Sequence, residues 1–396
     1  MLNWVNKKID ISFIVNPFYI YCMAFSFAIF VYMWGWSNLF PDLSAGLICF
    51  LIVTFTLFLI AGYKFGTKKG IFLYHNEEGS YLDDIIFLVI LVLGFINVGY
   101  MGYLPILDRS HDYRDFGMPI IDTFFNTLSI FFSVYFIQSY LSNKNKKILL
   151  YVSVILFIQI LIFRRSTIVW IITSALFLFI LHKQKVTFLH LLAGIIFIPI
   201  FSFFFGLYGN IRSNLSESFV IDDLEASDAF IRSGVHHNHY MTYLYIASPL
   251  ANLQKNIIEG DNFDNRRDLK DLFFYCLVPE SLTMRLEEPL GLKHPDCNLI
   301  THELIVGTFF MISYYTMGWA GMIIMFLFLY VSIVLCLFVI KRWNAFSVTT
   351  LALLTTTVFL MIFSNFLNRL DVILMLFIYP VFFHLLFTRN WKKVTI

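Results

Sequence analysis

The stretch Leu161-Ile-Phe-Arg-Arg-Ser-Thr-Ile-Val-Trp170 places two adjacent arginines between two almost wholly apolar runs, residues 148–163 and 167–181. An arginine at the centre of a membrane-spanning helix costs about 2.5–3.5 kcal/mol on insertion scales. We therefore predict that the chain turns at residues 164–166, between two short spans. Short spans require local thinning of the bilayer or a turn below its surface, so both guanidinium groups are expected at the floor of an outward cavity.

The composition indicates a membrane protein throughout. Hydrophobic residues make up 59% of the chain and charged residues only 14%, and the apolar residues fall in blocks of about 15–23, the length that crosses a bilayer. The net charge of +2, without a basic patch interleaved with aromatics, gives no indication of nucleic acid. We predict an all-α polytopic integral membrane protein that lies in the lipid bilayer.

The polar joints between the apolar blocks set the predicted topology. Alternate joints are rich in lysine, and the positive-inside rule places these joints and both termini in the cytoplasm. Their cations are Lys7, Lys8, Lys64, Lys68, Lys69, Lys144, Lys146, Lys147, Lys183, Lys185, Lys341, Arg342, Arg389, Lys392 and Lys393. We predict about ten spans, near residues 14–34, 44–63, 84–101, 119–140, 148–163, 167–181, 187–208, 319–340, 348–364 and 371–388.

The spans divide the chain into three parts: spans one to seven in 1–208, a large outer segment in 209–318, and the last three spans in 319–396. Within the outer segment, residues 235–255 are typical of an amphipathic helix lying on the membrane or over a cavity. Residues 304–318 are apolar, but a further crossing there would reverse the sidedness of the later joints. We therefore expect a partial or re-entrant helix in this interval.

The cations of the outward joints are mostly arginines, which the positive-inside rule does not favour on that side. A guanidinium binds phosphate through two parallel hydrogen bonds, which an ammonium cannot do. An outward cavity lined by arginines therefore indicates an anionic, phosphate-bearing ligand, although a single outer arginine can equally be an interfacial anchor. The predicted phosphate-binding residues are Arg165, Arg164, Arg212, Arg285, Arg109 and Arg114.

The densest polar cluster of the outer segment is residues 284–303. A carboxylate or imidazole in it could take a proton from a sugar hydroxyl, although a solvated loop would have the same composition. We select Glu303 and His302, which adjoin the expected re-entrant helix, and then His294, as candidate catalytic bases.

Three further polar features have more ordinary interpretations. His236-His237-Asn238-His239 is interpreted as a helix N-terminus or a substrate-contacting turn, because the spacing of a metal site is missing. Arg369 and Asp371 are expected to form an ion pair in the last outer joint. No CxxC pair occurs in the chain, and we predict no metal or other cofactor, while a disulfide between Cys276 and Cys297 stays open.

Several short motifs together resemble the Wzy-type O-antigen polymerases, which join oligosaccharide repeat units. The resemblance covers nearly the whole chain, and it departs from the family near Glu288-Pro289, where the family's loop motif is usually more basic. The motifs that carry it are Gly102-Tyr-Leu-Pro-Ile-Leu107 followed by Arg109 and Arg114, Phe163-Arg-Arg-Ser166, Leu277-Val-Pro-Glu-Ser281 with the cluster up to Glu303, and Gly318-Trp-Ala-Gly321.

This resemblance implies a glycosyltransferase of the bacterial inner membrane, with its active site on the periplasmic face. Its substrates would be undecaprenyl-diphosphate-linked oligosaccharides, joined with inversion at the anomeric carbon. Its fold would be the GT-C-like fold of about ten transmembrane helices that O-antigen polymerases and ligases share. A chain-length regulator in the same membrane is an expected partner.

Other functions remain open at this stage. An O-antigen ligase, which transfers polymer to the lipid A core, would have a similar fold and similar arginines. A glycan flippase or other transporter is less favoured, because transporters commonly contain repeated halves and the chain shows none. Glycosyltransferases with monophosphate donors typically carry paired acids in the first outer loop, where this chain has only Asp42.

Overall fold

The computed structural model describes residues 9–66, 81–108, 115–183, 185–213, 219–260, 268–343 and 346–394. The described chain is helical except for loops and one short antiparallel pair of strands, β1 (Ile9–Asp10) with β2 (Lys185–Val186). The helices are α1 (Pro17–Tyr32), α2 (Ala45–Gly66), α3 (Tyr81–Met101), α4 (Ile121–Asn143), α5 (Lys146–Leu161), α6 (Arg165–Lys183), α7 (Phe188–Ser213), α8 (Asp228–Ser233), α9 (His237–Glu259), α10 (Leu269–Leu272), α11 (Glu280–Leu290), α12 (Met311–Arg342), α13 (Ser347–Leu360), α14 (Leu370–Ile373) and α15 (Tyr379–Val394).

Six of these helices are long and apolar enough to cross a membrane, judged by length and composition. Their ranges are Ala45–Phe65, Leu82–Met101, Ile121–Asn143, Arg165–Lys183, Leu192–Ile211 and Met311–Arg342. Shorter apolar helices occupy Pro17–Tyr32, Ser347–Leu360 and Leu370–Leu386. The prediction of an α-helical, multi-pass membrane protein is thus confirmed at this level.

Local sequence explains where several helices begin and end. Asn16 caps α1 by accepting a hydrogen bond from the Phe18 amide, and Pro17 fills the first helical position, where no amide donor is needed. Asn145 caps α5 in the same way through the Lys147 amide. Lys144 adopts a left-handed conformation, with φ of 56°, and ends α4. The short joint between α4 and α5 is therefore set by its own residues.

Helix α13 forms the centre of the bundle, and nearly all its residues are buried. Its threonine hydroxyls are hydrogen-bonded to neighbouring elements or to nearby backbone carbonyls, which satisfies polar groups that lipid cannot satisfy. The bonds to other elements join Thr356 to Ser174 (2.8 Å), Thr349 to Gln138 (2.6 Å) and Thr355 to the Val15 carbonyl (3.0 Å). These bonds fix α4, α6 and the segment just before α1 around α13.

Helix α9 confirms the helix predicted at residues 235–255 but corrects its location. It does not lie on a surface, because most of its residues are buried against α7, α1 and α12. Its polar residues face protein backbone instead of water: the Gln254 side chain, for example, accepts a hydrogen bond of 2.9 Å from the Ser44 amide. The amphipathic pattern indicated a helix correctly but not what its polar face would contact.

The interval 304–318 contains an extended portion and then the first turns of α12. Helix α12 begins at Met311 and is interrupted at Gly318, whose φ of 58° and ψ of −142° are not helical. Glycine is the residue that adopts such a conformation at least cost. The partial helix expected here corresponds to residues 311–317, which the Gly318 break separates from the long apolar remainder of α12.

Candidate functional site

Arg164 and Arg165 lie at a tight turn between α5 and α6. Helix α5 ends at Leu161 and α6 begins at Arg165, so the turn predicted at 164–166 lies slightly earlier. Phe163 has a left-handed φ of 57°, which is uncommon for a bulky residue. This conformation redirects the chain just before the two arginines, whose side chains reach different partners.

Arg164 is bound to the protein itself. Its Nη2 donates to Asp122 Oδ2 at 2.6 Å and to the Phe116 carbonyl at 2.9 Å. Asp122 also accepts a hydrogen bond of 3.2 Å from Asn97. Both ionic side chains are largely buried, and removing one partner of such a pair leaves a buried charge. Arg164 therefore ties the α5–α6 turn to the start of α4.

Arg165 has different surroundings, built from aromatic rings of α7 and α9. Its guanidinium lies 4.6 Å from the Phe205 ring centre and 4.3 Å from the Tyr245 ring centre. A Cβ atom added at Gly209 would lie 3.1 Å from its Nη1. The two rings meet edge to face, with centres 5.5 Å apart, so the guanidinium lies in the corner that they form and is attracted electrostatically to both.

A second part of the candidate site is the extended segment 298–306, which carries His302 and Glu303. Both of these side chains are exposed. Asn252 and Asn256 of α9 hold the segment through its backbone. The Asn252 side chain donates to the carbonyls of Leu304 (2.6 Å) and Val306 (2.8 Å) and accepts from the Ile300 amide (2.8 Å). The Asn256 side chain donates to the Asn298 carbonyl (2.8 Å) and accepts from the Asn298 amide (3.1 Å).

His294 belongs to a separate cluster with Glu287 and Tyr275. His294 Nδ1 lies 3.4 Å from Glu287 Oε1, and the Tyr275 hydroxyl donates to the same oxygen at 3.2 Å. The rings of Tyr275 and His294 meet edge to face, with centres 5.6 Å apart. Burial and the neighbouring Glu287 raise the pKa of Tyr275 to about 12, so its hydroxyl remains a donor at neutral pH.

The joint that contains Asn365 and Asn368, between α13 and α14, connects this cluster to the core. Asn368 donates to the Tyr275 carbonyl at 3.0 Å, and Asn365 donates to the Cys276 carbonyl at 2.7 Å. Phe366 meets Trp170 of α6 edge to face, with ring centres 5.7 Å apart. The His294 cluster and the N-terminal part of α6, which begins at Arg165, are therefore both anchored to this joint.

The ion pair predicted between Arg369 and Asp371 is confirmed. Arg369 donates to both carboxylate oxygens, from Nη2 at 2.7 Å and from Nε at 3.2 Å. This two-point contact is the strong geometry for an arginine and a carboxylate. It occupies one edge of the guanidinium and fixes the start of α14.

The remaining predicted site residues are only partly placed. Arg285 is exposed on α11. Arg212 is part of α7, but its side chain lies outside what the structure describes. Arg109 and Arg114 lie outside the described residues altogether. Within the described ranges, no hydrogen bond or ion pair joins His294 to His302 or Glu303. The candidate bases thus form two groups, not one.

The histidine run and the two loop cysteines can also be placed. His236 caps α9 by accepting a hydrogen bond of 3.2 Å from the Asn238 amide, as the helix N-terminus interpretation predicts. No group of three or more potential metal ligands occurs in the part of the chain that the structure describes. Cys276 and Cys297 are both free thiols. Burial, supported by Asp296, raises the pKa of Cys297 to about 12.

Several contributors to the site were missed by sequence reasoning. Phe205 and Tyr245, which flank Arg165, look like ordinary apolar and interfacial aromatics in their helices. Asn252 and Asn256 carry a signal that could have been used, because polar residues four apart share one helix face. Glu287 lies inside the polar cluster, but nothing in its spacing alone distinguishes it from Glu288.

Comparison with known proteins adds no relative to this description. No protein-family model, no curated protein and no solved structure matches the chain. The resemblance to O-antigen polymerases therefore rests on the sequence motifs and on the chemistry of the site.

Proposed function

We propose that the chain is an O-antigen polymerase, a glycosyltransferase that joins undecaprenyl-diphosphate-linked oligosaccharide repeat units on the periplasmic face of the inner membrane. The observation that carries the proposal is the Arg165 guanidinium, held against Phe205 and Tyr245 near the N-terminal end of α6. A diphosphate leaving group gains negative charge as the glycosidic bond breaks. A cation fixed before the reaction stabilises that charge without reorganising.

The base in this reaction takes the proton of the acceptor hydroxyl, and the structure supports His294 most strongly among the three candidates. Glu287 lies against His294 Nδ1. A carboxylate there favours the tautomer with a proton on Nδ1, which leaves Nε2 to accept the substrate proton. The acceptor oxygen then attacks the anomeric carbon from the face opposite the diphosphate, which departs with inversion of configuration.

We expect His294→Ala to reduce polymer formation by about 10²–10⁴-fold, the usual contribution of a general base. Glu287→Gln keeps the size of the side chain but loses the charge that orients the imidazole, so we expect a smaller loss of about tenfold. The measurement is the initial rate of glycosidic bond formation by purified protein. Glu288→Gln is the matched control, since Glu288 is an exposed neighbour on the same helix.

Unchanged rates in His294→Ala would transfer the role to the segment that carries His302 and Glu303. His302→Ala and Glu303→Gln, measured in the same assay, identify which of those two side chains accepts the proton.

The proposed topology has about ten spans, with both termini cytoplasmic and residues 209–318 periplasmic. A cysteine-free background with single additions tests it. We expect Ser281→Cys, on exposed α11, to react with a membrane-impermeant maleimide in intact cells, and Lys146→Cys, at the exposed start of α5, to react only after the cells are opened. Reaction of Lys146→Cys in sealed cells would show that this sidedness is wrong.

The function itself is tested by incubating purified protein with lipid-linked repeat units alone. A polymerase produces a ladder of products that differ by one repeat unit. An O-antigen ligase produces no ladder and transfers glycan only when lipid A core is added. A flippase or other transporter forms no new bond with either mixture.

A further inference from the structure

Helix α7 is built from two halves with opposite environments. All nine residues of 192–200 are exposed and apolar, although a helix packed against a bundle normally buries one face. The outer half is held by α9: the Thr242 hydroxyl donates to the Ser202 carbonyl at 2.7 Å, and Asn210 donates to Asn238 at 3.0 Å. Residues 192–200 of α7 therefore have no buried face.

One face of α6 shows where the separation lies. Arg165, Ile172, Leu176 and Phe179 are spaced by seven, four and three residues, which places them on a single helix face. Both ends of this face touch α7, through Arg165 over Phe205 at 4.6 Å and through Phe179 beside His190 at 6.1 Å.

The middle of this α6 face, at Ile172 and Leu176, is not covered by α7. The side chains of Ile172 and Leu176 are 38% and 56% exposed, and Ile196 in the facing half of α7 is 56% exposed. Helices α6 and α7 thus border a gap that is closed at both ends and open between them. We call this gap the α6–α7 window. The exposed run of α7 gives it a height of about 12 Å at 1.5 Å per residue.

The chemistry of the window defines an amphiphilic ligand. Its α7 side, residues 192–200, carries no polar side chain, whereas its outer end is closed by the Arg165 guanidinium. A ligand that satisfies both regions has an apolar chain and an anionic head joined to it. An apolar protein helix in the window would bring no anionic group to the cation at its one end.

We infer that the α6–α7 window is the binding site for the polyprenyl chain of the lipid-linked substrate, with its diphosphate lying at Arg165. This inference rests on the proposed function for the identity of the lipid. It adds the route by which the lipid reaches the site, laterally from the bilayer between α6 and α7, and the residues that hold its tail.

Photo-crosslinking tests the window directly. The photoreactive residue p-benzoylphenylalanine is placed at Leu176 or Ile196, and at Leu88 or Phe95 as matched controls, which are 59% and 73% exposed on the apolar helix α3. The probe is tritiated undecaprenyl diphosphate without sugar, in phospholipid nanodiscs. We expect capture at both window positions to exceed the controls about tenfold, and Arg165→Lys to lower it severalfold.

The outcomes separate this inference from the proposed function. Equal capture at all four positions would mean that bulk lipid alone fills the window, and crosslinking to a second protein chain would mean that a protein covers it; either result overturns the inference. Because the probe carries no sugar, capture in the window by a protein that forms no polymer would contradict only the enzymatic proposal. Polymer formation without selective capture would contradict only the inference that the window binds the lipid.

Discussion

Arg165→Lys should lose most polymer formation while accumulating normally in the membrane. Lysine keeps the positive charge but replaces a planar group packed against Phe205 and Tyr245 with a compact ammonium that cannot form two parallel bonds to phosphate. A charge-assisted hydrogen bond is worth about 1.5–3 kcal/mol, which corresponds to a loss of about ten- to a hundredfold. The measurement is the initial rate of bond formation at saturating lipid-linked substrate.

Arg164→Lys provides the control for this prediction within the same turn. The two hydrogen bonds of Arg164 both come from one nitrogen, Nη2, so an ammonium in the same place can keep the ion pair with Asp122. We expect a rate within about twofold to threefold of the wild type, since little is lost when the charge and one donor position are retained. Equal losses in both variants would mean that the arginines only set the turn.

Gly206→Ala should strongly destabilise the protein. A Cβ atom at Gly206 would lie 1.9 Å from the Asn238 carbonyl oxygen and 2.7 Å from its carbonyl carbon. These are backbone atoms of α9 and cannot rotate away, so α7 and α9 would have to separate. Overpacking usually costs about 1–3 kcal/mol, and we expect a cost at or above the upper end of that range. Thermal unfolding in detergent should show a midpoint several degrees lower.

Gly99→Ala is the matched substitution for Gly206→Ala. Gly99 lies within α3, and a Cβ atom there would have nothing within 4 Å. Alanine is favoured over glycine inside a helix by about 1 kcal/mol, so Gly99→Ala should leave the midpoint unchanged or raise it. If both variants unfold at the wild-type temperature, the close contact between α7 and α9 is wrong.

The apolar helices were predictable because their signal is local. Blocks of apolar residues as long as a bilayer is thick leave few alternatives, and a described helix occupies every interval predicted to span. The arginine pair also correctly indicated a turn, since burying two adjacent charges in one span is costly. The number of crossings and their sidedness are part of the proposed function.

The site was less predictable because it depends on tertiary contacts. Arg164 and Arg165 have different environments because different elements pack against them, the start of α4 against Arg164 and α7 with α9 against Arg165. What the polar face of α9 contacts depends on which backbone groups Asn252 and Asn256 meet, 42 to 54 residues away in the chain. Helical periodicity reports that a face is polar but not what it contacts.

The separation of the candidate bases has a similar origin. His294 and His302 are close in sequence and belong to one polar cluster, which suggested a single site. The structure attaches them to different supports, His294 to Glu287 and the His302 segment to α9. Loop residues take their positions from the scaffold that holds them, so neighbours in a loop sequence need not share a function.

The most direct test of the account is the yield of undecaprenyl diphosphate for each glycosidic bond formed by the purified protein. Mass spectrometry of the lipid fraction and of the glycan products, after incubation with lipid-linked repeat units alone, measures both quantities. We predict one undecaprenyl diphosphate released per new bond, with the anomeric configuration of the donor inverted in the product. Lipid-linked repeat units that remain intact, with no bond formed and no diphosphate released, would contradict the proposed function.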